Sequence, residues 1–175
     1  VENLTNKNKD IQSDCIKILY EIGTIHPALI SEYTENFVKL LESKNNRMHW
    51  GAMMAINSIT TENPNIVFSI LSKLAIVVES GSVITRDNYV SILTKLCAVN
   101  EYMNDAFLLL NEQLVSCPSN QLPMYAENAL SIITEHNKDI FTKTLLSRLN
   151  NFEKESKRRR IEKVLKRLKN ISNLH

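Results

Sequence analysis

The chain repeats one apolar pattern at a fixed interval of 37 residues. Each copy has apolar or aromatic side chains at positions i, i+3, i+4 and i+7, which is the spacing of one face of an α-helix. The copies are Cys15, Ile18, Leu19 and Ile22; Ala52, Ala55, Ile56 and Ile59; Tyr89, Ile92, Leu93 and Leu96; Ala126, Ala129, Leu130 and Ile133; and, after a shorter step of 35, Ile161, Val164, Leu165 and Leu168. An interval of this length is typical of proteins built from stacked helical hairpins.

A second apolar pattern follows each of the first four copies and predicts a second helix in every unit. Its members, again 37 residues apart, are Leu29, Ile66, Met103 and Ile140; Tyr33, Ile70, Phe107 and Thr144; and Leu41, Val78, Val115 and Phe152. One hairpin cannot bury both of its apolar faces, so each must pack on its neighbours. We therefore predict first helices near residues 10–24, 48–61, 84–98 and 122–136, second helices near 28–42, 65–80, 101–116 and 138–152, and a last helix near 155–170.

One first helix and the last helix each carry an arginine, a residue three positions later and a leucine four positions after that: Arg86, Tyr89 and Leu93, and Arg158, Ile161 and Leu165. This pattern resembles the HEAT-repeat family, and the resemblance covers nearly the whole chain. The other units have Gln12, His49 and Pro123 at the arginine position, and none has the aspartate that the family places six residues before it. The resemblance implies an all-α fold over a single domain, residues 1–175: a right-handed α-α superhelix (HEAT-like solenoid) of about four helical hairpins with a C-terminal capping helix. The repeats are expected near residues 10–46, 47–83, 84–120 and 121–153, and the capping helix near 154–170.

Composition narrows the class of protein further. Only three glycines and four prolines occur, which leaves little turn chemistry for a many-stranded sheet. No apolar run approaches the roughly 18 residues that a membrane span needs. The first ten residues, "VENLTNKNKD", lack the apolar core of a secretion signal. Three widely spaced cysteines, Cys15, Cys97 and Cys117, favour buried core thiols in a reducing cytoplasm over a disulfide framework.

The sequence contains no motif of a catalytic, metal or cofactor site. No histidine lies at helical spacing from another histidine or from a cysteine, and neither C-x-x-C nor H-E-x-x-H occurs. With glycines only at positions 23, 51 and 81, no glycine-rich phosphate loop can form. We therefore expect a protein that is not an enzyme and has no cofactor. One HEAT-like branch, the DNA alkylation-repair glycosylases, is catalytic, so the resemblance alone leaves an enzyme open.

The segment "RMHWGAMM", residues 47–54, contains the only tryptophan of the chain. Tryptophan and arginine are favoured at binding hot spots, which makes Arg47 and Trp50 candidates for contact with a partner. The alternative is structural. Trp50 lies two residues before the core position Ala52, off the centre of the buried stripe, and would pack in the groove between two hairpins.

The segment "GSVITRDNYV", residues 81–90, is the longest turn between units. One interpretation is that Arg86 and Asp87 bind a ligand. The structural alternative is that they link adjacent turns by hydrogen bonds. Thr85 or Asp87 is expected to cap the helix that follows.

Residues 154–170, "KESKRRRIEKVLKRLKN", contain nine Lys or Arg and two Glu, although the whole chain has a net charge of only +2. One interpretation is a terminal capping helix with a polar outer face. The other is a surface for nucleic-acid phosphates, an acidic protein or an anionic membrane. The candidate anion contacts are Lys157, Arg158, Arg159, Arg160, Lys163 and Arg167.

The residues favour three functions. The first is a non-catalytic protein-binding or scaffold module, which, as in HEAT proteins, presents a concave surface lined by its second helices to a protein partner; reversal of Glu35 or Lys143 would then abolish binding. The second is nucleic-acid binding through the basic last helix, with a relation to the alkylation-repair glycosylases. The third is a segment of a larger assembly that packs through Ile171 and Leu174, so the chain is either a monomer or part of such an assembly.

Overall fold

A computed structural model of the chain describes residues 1–79 and 81–171, and for residues 170 and 171 it describes the backbone alone. All regular structure in these residues is helical, which confirms the predicted all-α class. By its contacts the chain divides into two compact units, Val1–Leu96 and Cys97–His175. Leu174 and the side chain of Ile171, predicted to pack on a further partner, lie outside the described residues.

The first unit contains three long helices that lie side by side in one row. The α-helices of this unit are α1 (Lys9–Ile25), α2 (Thr34–Leu40), α3 (Asn46–Ile59), α4 (Pro64–Ser69), α5 (Leu71–Glu79) and α6 (Val83–Leu96). In the row, α1 packs on α3 and α3 packs on α6. α2 packs on α3, and α5 packs on α6. Short 3₁₀ helices occur at Glu2–Thr5, Pro27–Leu29 and Ser31–Tyr33.

The predicted apolar stripe is the core of α3 and α6 but not of α1. The four stripe residues of α3 and the four of α6 are all fully buried. In α1 the buried residues are instead Ser13, Ile16 and Gly23, whereas Ile18 is 55 % exposed and Cys15 is partly exposed. The reason is position in the row, because α1 packs mainly on one long helix while α3 packs on two. The expectation that Cys15 is a core residue is therefore wrong, whereas Cys97 and Cys117 are buried.

The second helices of the first unit are interrupted where single helices were predicted. His26 leaves the helical conformation (φ −137°, ψ 74°) because it precedes Pro27, and two 3₁₀ turns follow before α2 begins. The second interruption is at Ile70, between α4 and α5. Each interrupted second helix still has one apolar and one polar side, so the hairpin forms without a continuous second helix.

The buried face of the second helices is offset from the predicted one. Leu29 and Ile66 are 64 % and 43 % exposed, whereas the next residues, Ile30 and Val67, are fully buried. In each case both residues of the pair are apolar, so periodicity alone could not select the buried one. The corrected pattern still recurs at 37 residues: Ile30, Thr34, Phe37 and Leu41 become Val67, Leu71, Leu74 and Val78, all buried.

The second unit repeats the hairpin arrangement. Its elements are α7 (Met103–Ser116), α8 (Leu122–Ala129), a 3₁₀ helix at Leu130–Ile132, α9 (Lys138–Ser147), a 3₁₀ helix at Leu149–Asn151, and α10 (Glu155–Ile171). α7 packs on α9, and α10 packs on α8 and α9. The buried residues Ile161, Val164 and Leu168 form the inner face of α10.

α8 ends seven residues before the predicted limit, residue 136, because a buried asparagine stabilises the turn after it. The Asn137 side chain accepts a hydrogen bond from the Thr134 amide (2.8 Å) and donates one to the Ile132 carbonyl (3.2 Å). Between these two contacts Ile133 is extended. Asparagine competes in this way with helical backbone bonds, and a pattern of apolar residues does not register it.

Polar side chains link each hairpin to the next at separations close to the repeat length. In the first unit the Asn63 amide donates to the Ser31 carbonyl (2.7 Å) and to the Thr34 hydroxyl (2.9 Å). In the second unit the Thr144 hydroxyl donates to the Asn111 amide oxygen (2.8 Å). Consecutive hairpins within each unit are thus held in register by hydrogen bonds as well as by apolar packing.

Candidate functional site

A groove runs along α3, between α1 and α6, in the first unit. One part of it, with a volume of about 390 Å³, is lined by Tyr20 of α1, Arg47 and Trp50 of α3, and Ile84 of α6. A second part, of about 240 Å³, is lined by Thr24, Asn57, Asn88 and Lys95, among others. Met54 lines both parts and joins them. We call this feature the α3 groove.

Helical periodicity explains why these residues share one surface. Trp50, Met54 and Ser58 recur every four residues on α3, and the centre of this row lies about 130° around the helix from the buried positions Ala52, Ala55 and Ile59. Apart from Pro27, every residue that lines the α3 groove belongs to α1, α3 or α6, so the groove lies in the layer of first helices. The family resemblance had instead placed the binding surface on the second helices.

Two glycines bring the walls of the α3 groove close together. A Cβ atom on Gly51 of α3 would lie 2.5 Å from Ile16 Cγ1 of α1, and one on Gly23 of α1 would lie 2.3 Å from Ser58 Oγ of α3. Carbon atoms without a covalent bond do not approach this closely. Each helix therefore presents a glycine where the other presents a side chain, and this close approach sets the depth of the groove.

Unpaired cations stand at both ends of the α3 groove. Within the described residues, neither Arg47 nor Lys95 has a carboxylate within 4.0 Å, and Lys17 reaches Glu21 only at 3.9 Å. Lys95 is half-buried, and its ammonium donates to the Asn57 carbonyl in the last turn of α3. Burial lowers the pKa of Lys95. Asp14 is the one acidic residue that lines the groove, so its balance of charge is positive.

The structure brings together only two of the six residues predicted to contact a partner protein. Arg47 and Trp50 line the α3 groove, whereas Arg86 and Asp87 lie in the first half of α6 and do not. Glu35 on α2 and Lys143 on α9 are exposed. The predicted cap at Thr85 or Asp87 is wrong, because the Ser82 hydroxyl accepts the hydrogen bond from the Thr85 amide (3.4 Å).

Sequence reasoning missed Tyr20, Ile84 and Lys95. Ile84, Asn88 and Lys95 stand at helical spacing on one side of α6, away from its apolar stripe. That spacing was available in the sequence. The resemblance placed the binding surface on the second helices, whereas Tyr20, Ile84 and Lys95 lie on first helices.

A larger cavity of about 600 Å³ lies between the first five residues and α2. Cys15, Tyr33 and Lys39 contribute to its lining, but none of the sequence-predicted site residues does. It has no paired catalytic groups, and we do not treat it as a functional site.

Half of the predicted anion contacts on α10 are already paired with carboxylates. Arg158 pairs with Glu162 (3.1 Å) and Arg159 with Glu155 (3.2 Å) along the helix surface. Arg160 forms two hydrogen bonds with Glu127 of α8, at 2.8 and 2.5 Å. Lys157 donates to the Asn120 carbonyl at 3.3 Å. Of the predicted contacts, Lys163 and Arg167 have no carboxylate within 4.0 Å among the described residues.

The Arg160–Glu127 pair predicts a pH-dependent stability. The hydrogen bonds from Arg160 lower the pKa of Glu127; burial opposes this shift, and the charges of Arg160, Arg167 and Lys157 add to it. A lowered carboxyl pKa stabilises the fold at pH values above the unfolded pKa, and this contribution is lost as the pH falls through the folded pKa. We expect Glu127→Gln to reduce the free energy of unfolding by about 1 kcal/mol at neutral pH. Urea titrations should show this difference disappearing as the pH falls below the range in which an ordinary glutamate titrates, through the lowered pKa of Glu127.

Glu155→Gln provides the matched control for this experiment. Glu155 also pairs with an arginine of α10, but both partners are well exposed, with side chains 62 % and 71 % accessible. Exposed pairs of this kind contribute little, so the control should stay within about 0.5 kcal/mol of the unchanged chain. Equal effects of the two substitutions would contradict a special role for the link between α8 and α10.

The described residues offer no assembled metal centre. No group of three or more His, Cys, Asp or Glu side chains within them is placed to hold a metal ion. Burial raises the pKa of the Cys97 thiol to about 12, so this thiol is protonated at neutral pH and is a poor nucleophile. In the part of the chain that is described, no helix has the length and apolar character needed to cross a membrane.

Comparisons with known proteins give no match: no protein-family model, curated protein or solved structure matches the chain.

Proposed function

We propose that this chain is a non-catalytic protein-binding module and that the α3 groove holds an apolar, acidic-flanked segment of a partner protein. The observation that supports this most directly is the position of Trp50. Its side chain is only partly buried and lies in an open groove beside the unpaired Arg47. Tryptophan and arginine together in a partly desolvated groove have the chemistry of a binding hot spot.

The charge and length of the α3 groove specify its occupant. Cations at both ends favour acidic residues at both ends of the bound segment, and Tyr20, Met54 and Ile84 favour apolar residues between them. The groove follows α3 from Arg47 to Ser58, a length of about 16 Å at 1.5 Å per residue. That length fits about five residues of extended chain or about three turns of helix.

We further propose that the hairpins stack as a right-handed, HEAT-like superhelix of four hairpins with α10 as its cap, in a single cytoplasmic domain. The support for stacking is the recurrence of links between consecutive hairpins, such as Asn63 with Ser31 and Arg160 with Glu127. The support for a reducing location is that Cys15 and Cys97 are thiols in the described structure.

Trp50 makes the proposed function directly testable, because it is the only tryptophan of the chain and its fluorescence reports on the α3 groove. Peptides selected from a random library against the whole chain should contain apolar residues flanked by Asp or Glu. Their binding should shift the emission of Trp50 to shorter wavelength. Trp50→Ala should weaken binding about tenfold or more, measured by anisotropy of labelled peptide.

Charge reversals on the second helices provide the matched control. Lys143→Glu and Glu35→Lys alter exposed residues of α9 and α2 and should leave the affinity of these peptides unchanged. If these reversals abolish binding and Trp50→Ala does not, the binding surface is the one predicted on the second helices, and the α3 groove is not the site.

Nucleic-acid binding through α10 is the second candidate function. It is favoured by the cations in the second half of this helix, Lys163, Lys166, Arg167 and Lys169, which have no carboxylate within 4.0 Å among the described residues. Phosphate contacts would make binding fall steeply with salt, by roughly one power of salt concentration for each contact. Replacement of Lys163 and Arg167 by alanine should reduce this slope, and no DNA or RNA binding at low salt would exclude the function.

A further inference from the structure

The narrower part of the α3 groove contains a cation whose environment supplies no counter-charge. Lys95 extends from α6, and its ammonium contacts the Asn57 carbonyl. An ammonium group has three donor hydrogens, so two remain after this contact. The other side chains lining this part, those of Thr24, Asn57, Ser58 and Asn88 among them, are uncharged.

Half-burial of this ammonium has a physical cost. An ammonium removed from water loses hydration, and a single carbonyl replaces only part of it. The lowered pKa of Lys95 has the same origin. An anion entering this part of the groove would therefore gain a strong charge-assisted hydrogen bond and would relieve an existing penalty.

The polar wall beside Lys95 is fixed by its own hydrogen bonds. Asn57 donates its side-chain amide to the Asn88 oxygen (2.9 Å), and Asn88 donates to the Ile84 carbonyl (2.8 Å). These two hydrogen bonds set the orientation of the Asn57 and Asn88 side-chain amides. The Thr24 and Ser58 hydroxyls donate to carbonyls of their own helices. The wall is thus held in place without using the remaining donors of Lys95.

The size of this part indicates what kind of anion it takes. Its volume of about 240 Å³ is below the 300 Å³ or so at which small-molecule sites usually begin. It has room for one side chain or for one end of a chain. The groove continues past Met54 towards Trp50, so the remainder of a larger ligand has somewhere to lie.

We propose that this part of the α3 groove is a carboxylate site in which Lys95 pairs with a carboxylate of the bound partner segment. The carboxylate belongs either to the end of the partner chain or to an Asp or Glu side chain. The proposal rests on the proposed function, because it assigns the acidic end of the segment to a particular residue. A chain-end carboxylate would also give the segment a direction along α3, with its other end near Arg47.

Small carboxylates test the site without a known partner. The probes are N-acetyl-L-leucine, which presents a chain-end carboxylate, and N-acetyl-L-glutamic acid α-amide, whose carboxylate is on the side chain. N-acetyl-L-leucinamide is the neutral control. Binding is followed by NMR of the whole chain, through the amide signals of Thr24, Ser58 and Asn88 and the side-chain signals of Lys95.

We expect at least one carboxylate probe to shift these signals in a saturable way, and the probe with the higher affinity identifies the source of the carboxylate. The neutral control should bind at least tenfold more weakly, and Lys95→Met, which keeps the aliphatic stem, should abolish the response. No saturable shift with either acid, equal binding of the neutral amide, or a response that persists in Lys95→Met would each overturn the proposal. The comparison of acid with amide in the unchanged chain does not depend on how the variant folds.

The outcomes separate this site from the proposed function. If selected peptides shift Trp50 fluorescence but the carboxylate probes do not act at Lys95, the partner-binding function stands and the carboxylate site fails. If the probes bind at Lys95 but no peptide occupies the groove at Trp50, the proposed function fails and a small-carboxylate site remains.

Discussion

Replacement of Arg148 by alanine should lower the free energy of unfolding by about 3 kcal/mol. Arg148 follows α9, and its guanidinium donates to three carbonyls at the C-terminal end of α7: Leu114 (2.9 Å), Cys117 (2.8 Å) and Val115. Carbonyls at a helix end have no partner within the helix, and the negative end of the helix dipole favours a cation there. Without Arg148, the carbonyls of the buried residues Leu114 and Cys117 would lose these hydrogen bonds.

Two further variants separate charge from geometry at this position. Arg148→Lys keeps the charge but lacks the planar fork that reaches several carbonyls, so we expect about half of the loss. Lys143→Ala, on the exposed face of the same helix, should change the free energy of unfolding by less than about 0.5 kcal/mol. Urea unfolding gives the energies, and faster amide exchange in the last turn of α7 would locate the effect. An Arg148→Ala chain as stable as the Lys143→Ala chain would contradict the capping role.

The sequence predicted the first helices more accurately than the second. In α3 and α6 the repeated apolar stripe coincides with the buried face of the helix, so the repeat predicts that face directly. The predictions of continuous second helices fail in the first unit for local reasons, namely Pro27 and its 3₁₀ turns, the interruption at Ile70, and adjacent apolar pairs such as Leu29 and Ile30. In the second unit α7 agrees with the predicted bounds, 101–116, to within two residues. Periodicity measures where apolar residues recur, and it does not measure which of two neighbours is in contact.

The candidate site was only partly predictable, because its walls come from three helices far apart in sequence. Arg47 and Trp50 were recognised by residue type alone, which requires no knowledge of their neighbours. Lys95 could be identified only once α3 and α6 were placed side by side, because its half-burial and its contact with Asn57 depend on that packing. Residue type predicts which groups are suited to binding, and tertiary packing decides which of them form a groove.

The roles of the basic residues were also only partly predictable, because residue type does not show what an arginine contacts. Arg160 was predicted from the sequence as an anion contact, yet the structure uses it, like Arg148, to join helices about one repeat apart in the chain. In each case the acceptor lies 31 to 34 residues earlier in the chain, one hairpin away. A charge count cannot distinguish a solvated arginine from one committed to the preceding repeat.

Replacement of Gly51 by alanine should destabilise the chain by about 2 kcal/mol, although alanine is the better helix former. In an unobstructed helix interior this substitution stabilises by about 1 kcal/mol. Here the new methyl group would lie 2.5 Å from Ile16 Cγ1 and 3.0 Å from Ile16 Cγ2 across the contact between α1 and α3. Overpacking of this kind costs about 1–3 kcal/mol or more, and relief would require the two helices to separate or Ile16 to leave its rotamer.

The sign of the effect is therefore the test, and a second substitution shows its cause. Ile16→Ala alone removes a fully buried side chain and should itself destabilise by about 3 kcal/mol. In the double variant the alanine methyl at position 51 fills space that Ile16 has vacated, so the combined loss should be smaller than the sum by about 2 kcal/mol. A stabilising Gly51→Ala, or simple additivity with Ile16→Ala, would show that α1 and α3 are not in the close contact that sets the depth of the α3 groove. Because Trp50 is adjacent to Gly51, its fluorescence in the single variant should also respond, which links the packing of these two helices to the shape of the proposed binding site.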